Sequence, residues 1–152
     1  MSNYPISKGN RIWIYQTNRP INELEQDKIN PELDAFIAEW ATHGTQLSGG
    51  YQWINPYILI LGVDEKAVMP SGCSIDSSGR FLRELGSKYS IDFFVRMKSV
   101  ILHNEEWKQV DFNEVSELND IKVVDTTLTD WNDFLEKGIV APEESGLVSL
   151  FN

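Results

Sequence analysis

The 152-residue chain has one cysteine, Cys73, two histidines, and no apolar run longer than residues 57–63, YILILGV. A lone thiol cannot close a disulfide within the chain, which suits a reducing compartment such as the cytoplasm. Seven residues fall far short of the roughly 20 needed to cross a bilayer, so no membrane partner is expected. The opening MSNYPISKGNR lacks the apolar core of a signal peptide. Lys and Arg number 13 against 23 Asp and Glu, for a net charge of −10, and no basic cluster gathers them. Binding a phosphate backbone would need such a cluster, so no nucleic-acid partner is expected. The phosphate loop G-x-x-x-x-G-K-[ST] is missing too. Gly79 and Gly86 are separated by too many residues, and Ser87 follows where a lysine belongs. His43, His103 and Cys73 lie far apart in sequence, without the close spacing of metal ligands, so neither a metal nor a cofactor is expected.

What is present is an ordinary globule's share of apolar and aromatic residues: 41% hydrophobic and 11% aromatic, including five Trp, five Tyr and seven Phe. No repeat and no Gly-, Ser- or Pro-rich linker divides the chain, so residues 1–152 read as one domain. Residues 1–10 form a polar lead-in, and 104–152 a C-terminal extension.

RIWIYQ (11–16) alternates as a strand does and stops at the turn residues Thr17-Asn18-Arg19-Pro20. Asn22 caps a helix whose stripe is Ile29, Leu33, Phe36, Ile37, Trp40 and Ala41. Pro31 either kinks this helix or opens a second one capped by Asn30. His43-Gly44 is its expected stop. Residues 46–54 read as a strand, with Gly49-Gly50 as a bulge or a point of close approach. After the turn at Asn55-Pro56, YILILGV reads as a central strand buried on both faces. A helix over 77–89 carries Phe81, Leu82, Leu85 and Tyr89 on one side. A strand within 93–103 turns at Asn104-Glu105-Glu106 and returns over 107–112. A short helix (113–118), a strand (121–126) and a helix capped by Thr129 or Asp130 follow. Gly138 stops that last helix, and the apolar residues of the tail dock onto the body. The succession βαββαβ predicts an α+β fold, a ferredoxin-like sandwich with a C-terminal hairpin and helix extension.

Three stretches carry candidate chemistry. LSGG (47–50) matches the signature of transporter ATPases, yet that motif works only with the phosphate loop this chain lacks. YQWINP after it also makes a poor helix. The chain therefore reads as no ATPase. GCSIDSS (72–78) stands just before the expected helix. Backbone N–H groups there could lower the thiol pKa of Cys73 or hold an anion, with Ser74, Asp76 and Ser77 as companions. The plainer alternative makes Ser74 or Asp76 a cap and Cys73 a small buried residue. Arg19, after the first strand, can hold an anion or pair with a carboxylate. Asp64 ends the buried strand and faces the loop towards Cys73.

RIWIYQTNRP (11–20), LDAFIAEWATHG (33–44), ILILGVDE (58–65) and GCSIDSSGRFLREL (72–85) together resemble a family of small uncharacterised bacterial proteins. Some members of that family bear the label ABC transporter ATPase. The resemblance covers most of 11–103. It implies no established activity and places the recurring positions on Tyr15, Arg19, Asp64, Gly72, Cys73, Ser74 and Asp76. The expected function is a cytoplasmic, non-enzymatic binding or protein-interaction module that takes a small anionic ligand or a protein partner. The alternative is a thiol-dependent enzyme or redox sensor using Cys73, with His43 or His103 as base. The aromatic supply permits a homodimer.

Overall fold

The computed structural model describes residues 3–151 and is a mixed α+β structure of stacked layers. Three strands, β1 (Arg11–Gln16), β4 (Gly49–Asn55) and β5 (Ile58–Val63), form an antiparallel sheet in the order β1-β5-β4. β5 lies in the middle with all six residues buried, as its unbroken apolar run requires. Its odd-numbered residues, Leu59, Leu61 and Val63, face the helices α1 (Glu23–Glu39) and α2 (Gly72–Tyr89). They pack there with Ile29, Leu33, Ile37, Leu82 and Leu85. Ile58 and Ile60 face the other way and meet Ile12, Val100, Val124, Trp131 and Phe134.

That second face is covered by a four-stranded antiparallel sheet in the order β7-β6-β8-β9. Its strands are β6 (Lys98–His103), β7 (Glu106–Asp111), β8 (Lys122–Val124) and β9 (Ile139–Val140). The helix α4 (Trp131–Lys137) sends Trp131 and Phe134 into the cluster between the sheets and is capped by Asp130, whose carboxylate accepts from the Asp133 N–H at 3.1 Å. The outer face of the second sheet, Ile101 and Val123, is closed by α3 (Phe112–Val115) and by the docked tail residues Leu147 and Phe151.

The strand order does not complete a ferredoxin-like sheet. After α2 the chain touches β1 through a single parallel bridge, Gln16 to Phe94, and then leaves to build the second sheet. The cause lies in β5 itself. A strand apolar on both faces needs a layer on each, and α1 and α2 cover only one.

Other boundaries shift for local reasons. α1 continues as one helix past Pro31, which sits exposed, so Asn30 is no cap. Its side-chain oxygen instead accepts from Trp53 Nε1 at 3.0 Å. α1 ends at Glu39, five residues before the expected glycine. His43 and Gly44, at φ 48° and 81°, form the two-residue turn between β2 (Ala41–Thr42) and β3 (Thr45–Gln46). Asn104 and Glu105, at 51° and 65°, do the same between β6 and β7. Gly50 is a point of close approach: a Cβ there would stand 2.5 Å from the Pro5 carbonyl oxygen. The bulge in β4 falls later, between Trp53 and Asn55.

Candidate functional site

The stretch 72–78 is not a loop before α2 but its first two turns. Ser71, not Ser74 or Asp76, is the cap. Its hydroxyl accepts from the Ser74 N–H at 3.2 Å, and the Ser74 hydroxyl accepts from the Ser71 N–H at 2.7 Å. Ser74 is buried, and its own proton goes to the Ser71 carbonyl. Ser77 donates to the Ser74 carbonyl at 2.7 Å and Ser78 to Ile75 at 2.6 Å. The serines that looked like ligand donors thus satisfy the helix backbone. Cys73 is exposed, contrary to the small buried residue of the plainer alternative. It has no hydrogen bond to either histidine. His43 is exposed in the β2–β3 turn, and His103 ends β6 in the other sheet. Asp76 is exposed as well. Asp64 folds its carboxylate onto the backbone that follows, accepting from the N–H groups of Lys66 and Ala67 at 3.0 and 3.3 Å.

Arg19 lies at the far end of α2, at Tyr89, and so about 24 Å of helix axis away from Cys73. Its guanidinium makes a two-pronged pair with Glu25, at 2.9 and 2.7 Å. It also donates to the carbonyls of Tyr89 (2.8 Å) and Ser90 (3.1 Å). Arg19 therefore ties the start of α1 to the end of α2. A second tie runs from Glu32 to the Tyr89 hydroxyl and to Lys88, at 2.5 and 3.0 Å. Hydrogen bonding from Arg19 holds the Glu25 carboxyl below the usual range, and the Tyr89 hydroxyl does the same for Glu32. Because both folded values lie below the unfolded ones, this stabilisation is complete above about pH 4.5 and is lost as pH falls through the folded values. Glu25→Gln combined with Glu32→Gln is expected to lower Tm at pH 6 and to flatten its decline between pH 4.5 and 2.5. A thermal melt series over pH checks this. Both pairs are partly exposed, so the change is modest.

The cavity with the most unmet chemistry lies elsewhere, on the outer edge of β1. The even residues of β1 turn their backbone groups away from β5. The Ile12 N–H donates to the Thr129 carbonyl at 2.9 Å, and the Gln16 carbonyl accepts from the Val95 N–H at 3.1 Å. Between these two pins the N–H and C=O of Ile14 face outward with no partner among the described residues. They floor a groove of about 520 Å³, walled by residues 93–96 on one side and 126–129 on the other.

Gln16 borders the same groove. It is 5% exposed, and its buried Nε2 has no hydrogen-bond partner. Tyr15 stands edge-on to Phe94 at 5.6 Å, with the Arg83 guanidinium over the other ring at 4.8 Å. Burial raises the pKa of the Tyr15 hydroxyl, and the neighbouring Ser78 hydroxyl and Arg83 charge act against that. The 126–129 wall is held by buried Asp125, which accepts from the backbone N–H and the hydroxyl of Thr127 and from the Gly146 N–H.

A second groove of about 510 Å³ runs along the other edge of the sheet, past Glu23, Asp27 and Trp53. Its inner polar groups are already paired. Trp53 Nε1 binds Asn30, Gln26 Nε2 binds the Ile21 carbonyl, and the Tyr51 hydroxyl binds Asp34. Ser77 borders a small cleft of about 300 Å³ beside Trp40. Among the described residues no cluster of His, Cys, Asp and Glu suits a metal, and no helix is long and apolar enough to cross a membrane.

Sequence reasoning singled out Cys73, Ser74, Asp76, Ser77, Arg19 and Asp64, and the structure does not gather these into one cavity. It gives no role to Ile14, Phe94, Arg96 and the stretch Thr126-Thr127-Leu128, and takes Gln16 only as a polar end of the first strand and Thr129 only as a helix cap. The one signal available was the strand RIWIYQ, whose edge position no local pattern reveals. Comparison of the chain with protein-family models, with curated proteins and with solved structures finds no match.

Proposed function

We propose that the protein is a non-enzymatic binding module whose ligand lies in the groove on the edge of β1. The observation that carries this reading is the unpaired N–H and C=O of Ile14 at the floor of that groove. An exposed donor–acceptor pair on a strand edge is a template for another amide group, and strand addition is a common mode of peptide recognition. A volume of about 520 Å³ lies in the range of small-ligand sites. The flanking aromatic rings Tyr15 and Phe94 supply apolar contact, as such sites require.

The exposure of Cys73 favours the thiol alternative. Against it stand the hydroxyls around the thiol, which are spent on the helix. The test is a titration of ¹⁵N-labelled protein with a mixture of N-acetylated tripeptides. The amides of Ile14, Gln16, Phe94 and Leu128 are expected to shift and saturate, and to do so equally in Cys73→Ser. Shifts confined to the first turns of α2, or binding lost in Cys73→Ser, would move the site to the thiol and sink this reading.

A further inference from the structure

Arginine gathers at this groove although the chain is acidic overall. Of the five arginines in a chain of net charge −10, three stand there. Arg96 lines the groove, and among the described residues no Asp or Glu does. The Arg83 guanidinium lies 4.8 Å over the ring of Phe94, and that of Arg11 lies 4.7 Å over the ring of Trp13; both rings line the groove. Arg11 is neutralised by Glu65 at 3.3 Å. Arg83 and Arg96 are exposed and have no ion pair or side-chain hydrogen bond among the described residues. Asp92, at the head of the 93–96 wall, accepts from the Phe94 N–H at 2.8 Å and pairs with neither arginine.

An unpaired guanidinium resting on a ring keeps its N–H donors for a planar acid, and two such cations at one wall favour a negative ligand. The net charge of the chain sets the number of charges, because its field repels a dianion about twice as strongly as a monoanion. The rings set the rest. Trp13, Tyr15 and Phe94 present aromatic surface in a groove of about 520 Å³, room for one ring and a short polar arm. The segment 93–95 occupies the Gln16 end, so the acid belongs at the open rim beside Phe94.

We propose that the groove takes a small aromatic carboxylate, with its ring among Trp13, Tyr15 and Phe94 and its acid group at Arg83 and Arg96. This names the ligand class for the groove reading above and rests on it. The N–H and C=O of Ile14 pair with a polar arm of the ligand, such as an amide, between ring and acid.

The experiment uses the whole ¹⁵N-labelled chain and three probes: N-benzoylglycine, its carboxamide, and N-acetylglycine, which keeps the amide and the acid but lacks the ring. N-benzoylglycine is expected to shift the Ile14 and Phe94 amides and to saturate. The carboxamide is expected to bind about tenfold more weakly, the size of one charge-assisted contact, and that gap is expected to narrow with added salt. N-acetylglycine is expected to bind at least about tenfold more weakly, for want of the buried ring. Arg83→Gln and Arg96→Gln, at exposed positions without ion pairs, are expected to keep Tm and to shrink the preference for the acid over the carboxamide. Equal binding of acid and carboxamide, or a preference untouched in both variants, overturns the anion assignment while the groove reading stands. Equal binding of N-acetylglycine overturns the aromatic part. No shift at Ile14 with any of the three overturns the groove reading as well.

Discussion

Alanine in place of Gly86 is expected to destabilise the protein by about 3 kcal/mol, although glycine-to-alanine inside a helix ordinarily gains up to about 1 kcal/mol. Gly86 lies in the last turn of α2, and a Cβ there would collide with the carbonyl oxygen of Ile91 and reach 3.7 Å from the Phe93 ring. That carbonyl cannot retreat. The Ile91 N–H is bonded to the Gly86 carbonyl at 2.9 Å, and Ser90 is held left-handed at φ 57°. Arg19 grips the carbonyls of Tyr89 and Ser90 from the other side. In a chain of this length the loss corresponds to a fall in Tm of about 6–12 °C. Gly79, in the same helix, is the control. Its Cβ would meet only the end of the Arg83 side chain, at 3.5 Å. Gly79→Ala is therefore expected to hold or raise Tm. Equal Tm values for the two variants would show that the turn at 90–91 yields.

Ile60→Ala is expected to cost about 4 kcal/mol, towards the upper part of the range for large-to-small core substitutions. Ile60 is wholly buried at the middle of β5 and packs towards the second sheet with Val100, Val124 and Trp131. The cavity cannot collapse easily, because β1 and β4 hold β5 in register on both sides. If the two sheets unfold as one unit, calorimetry will show a single peak shifted down by about 8–16 °C. Two separated peaks would mean that residues 98–151 keep their own structure after the first sheet is lost, and would count against one cooperative domain.

The local elements were legible because their causes are local. YILILGV reads as a strand buried on both faces, and Ile58–Val63 form one, with Tyr57 left half-buried in the turn before it. Asn22 caps α1 and Asp130 caps α4 through bonds made within one turn. The start of α2 is hidden from the sequence because Gly72, Cys73 and Ser74 have poor helix propensity. The box that closes it is a serine pair, not the usual serine with glutamate. The two positive-φ residues at 43–44 carry the sequence signature of a helix end but form a hairpin turn. A two-residue hairpin turn and a helix stop ask for the same backbone, and only the pairing of Ala41 with Gln46 separates them.

The chain's own composition and patterning thus determined the α+β class, a folded acidic globule and the central place of β5. β5 also demanded a second covering layer, since six buried residues expose apolar side chains to both sides. The tertiary structure alone decided which segments supply that layer, and it decided the candidate site. The groove joins residues 12–16, 93–96 and 126–129. Whether the N–H and C=O of Ile14 are paired depends on which strand lies beside them, and pairing between segments some 80 and 110 positions apart in the chain leaves no mark in local periodicity.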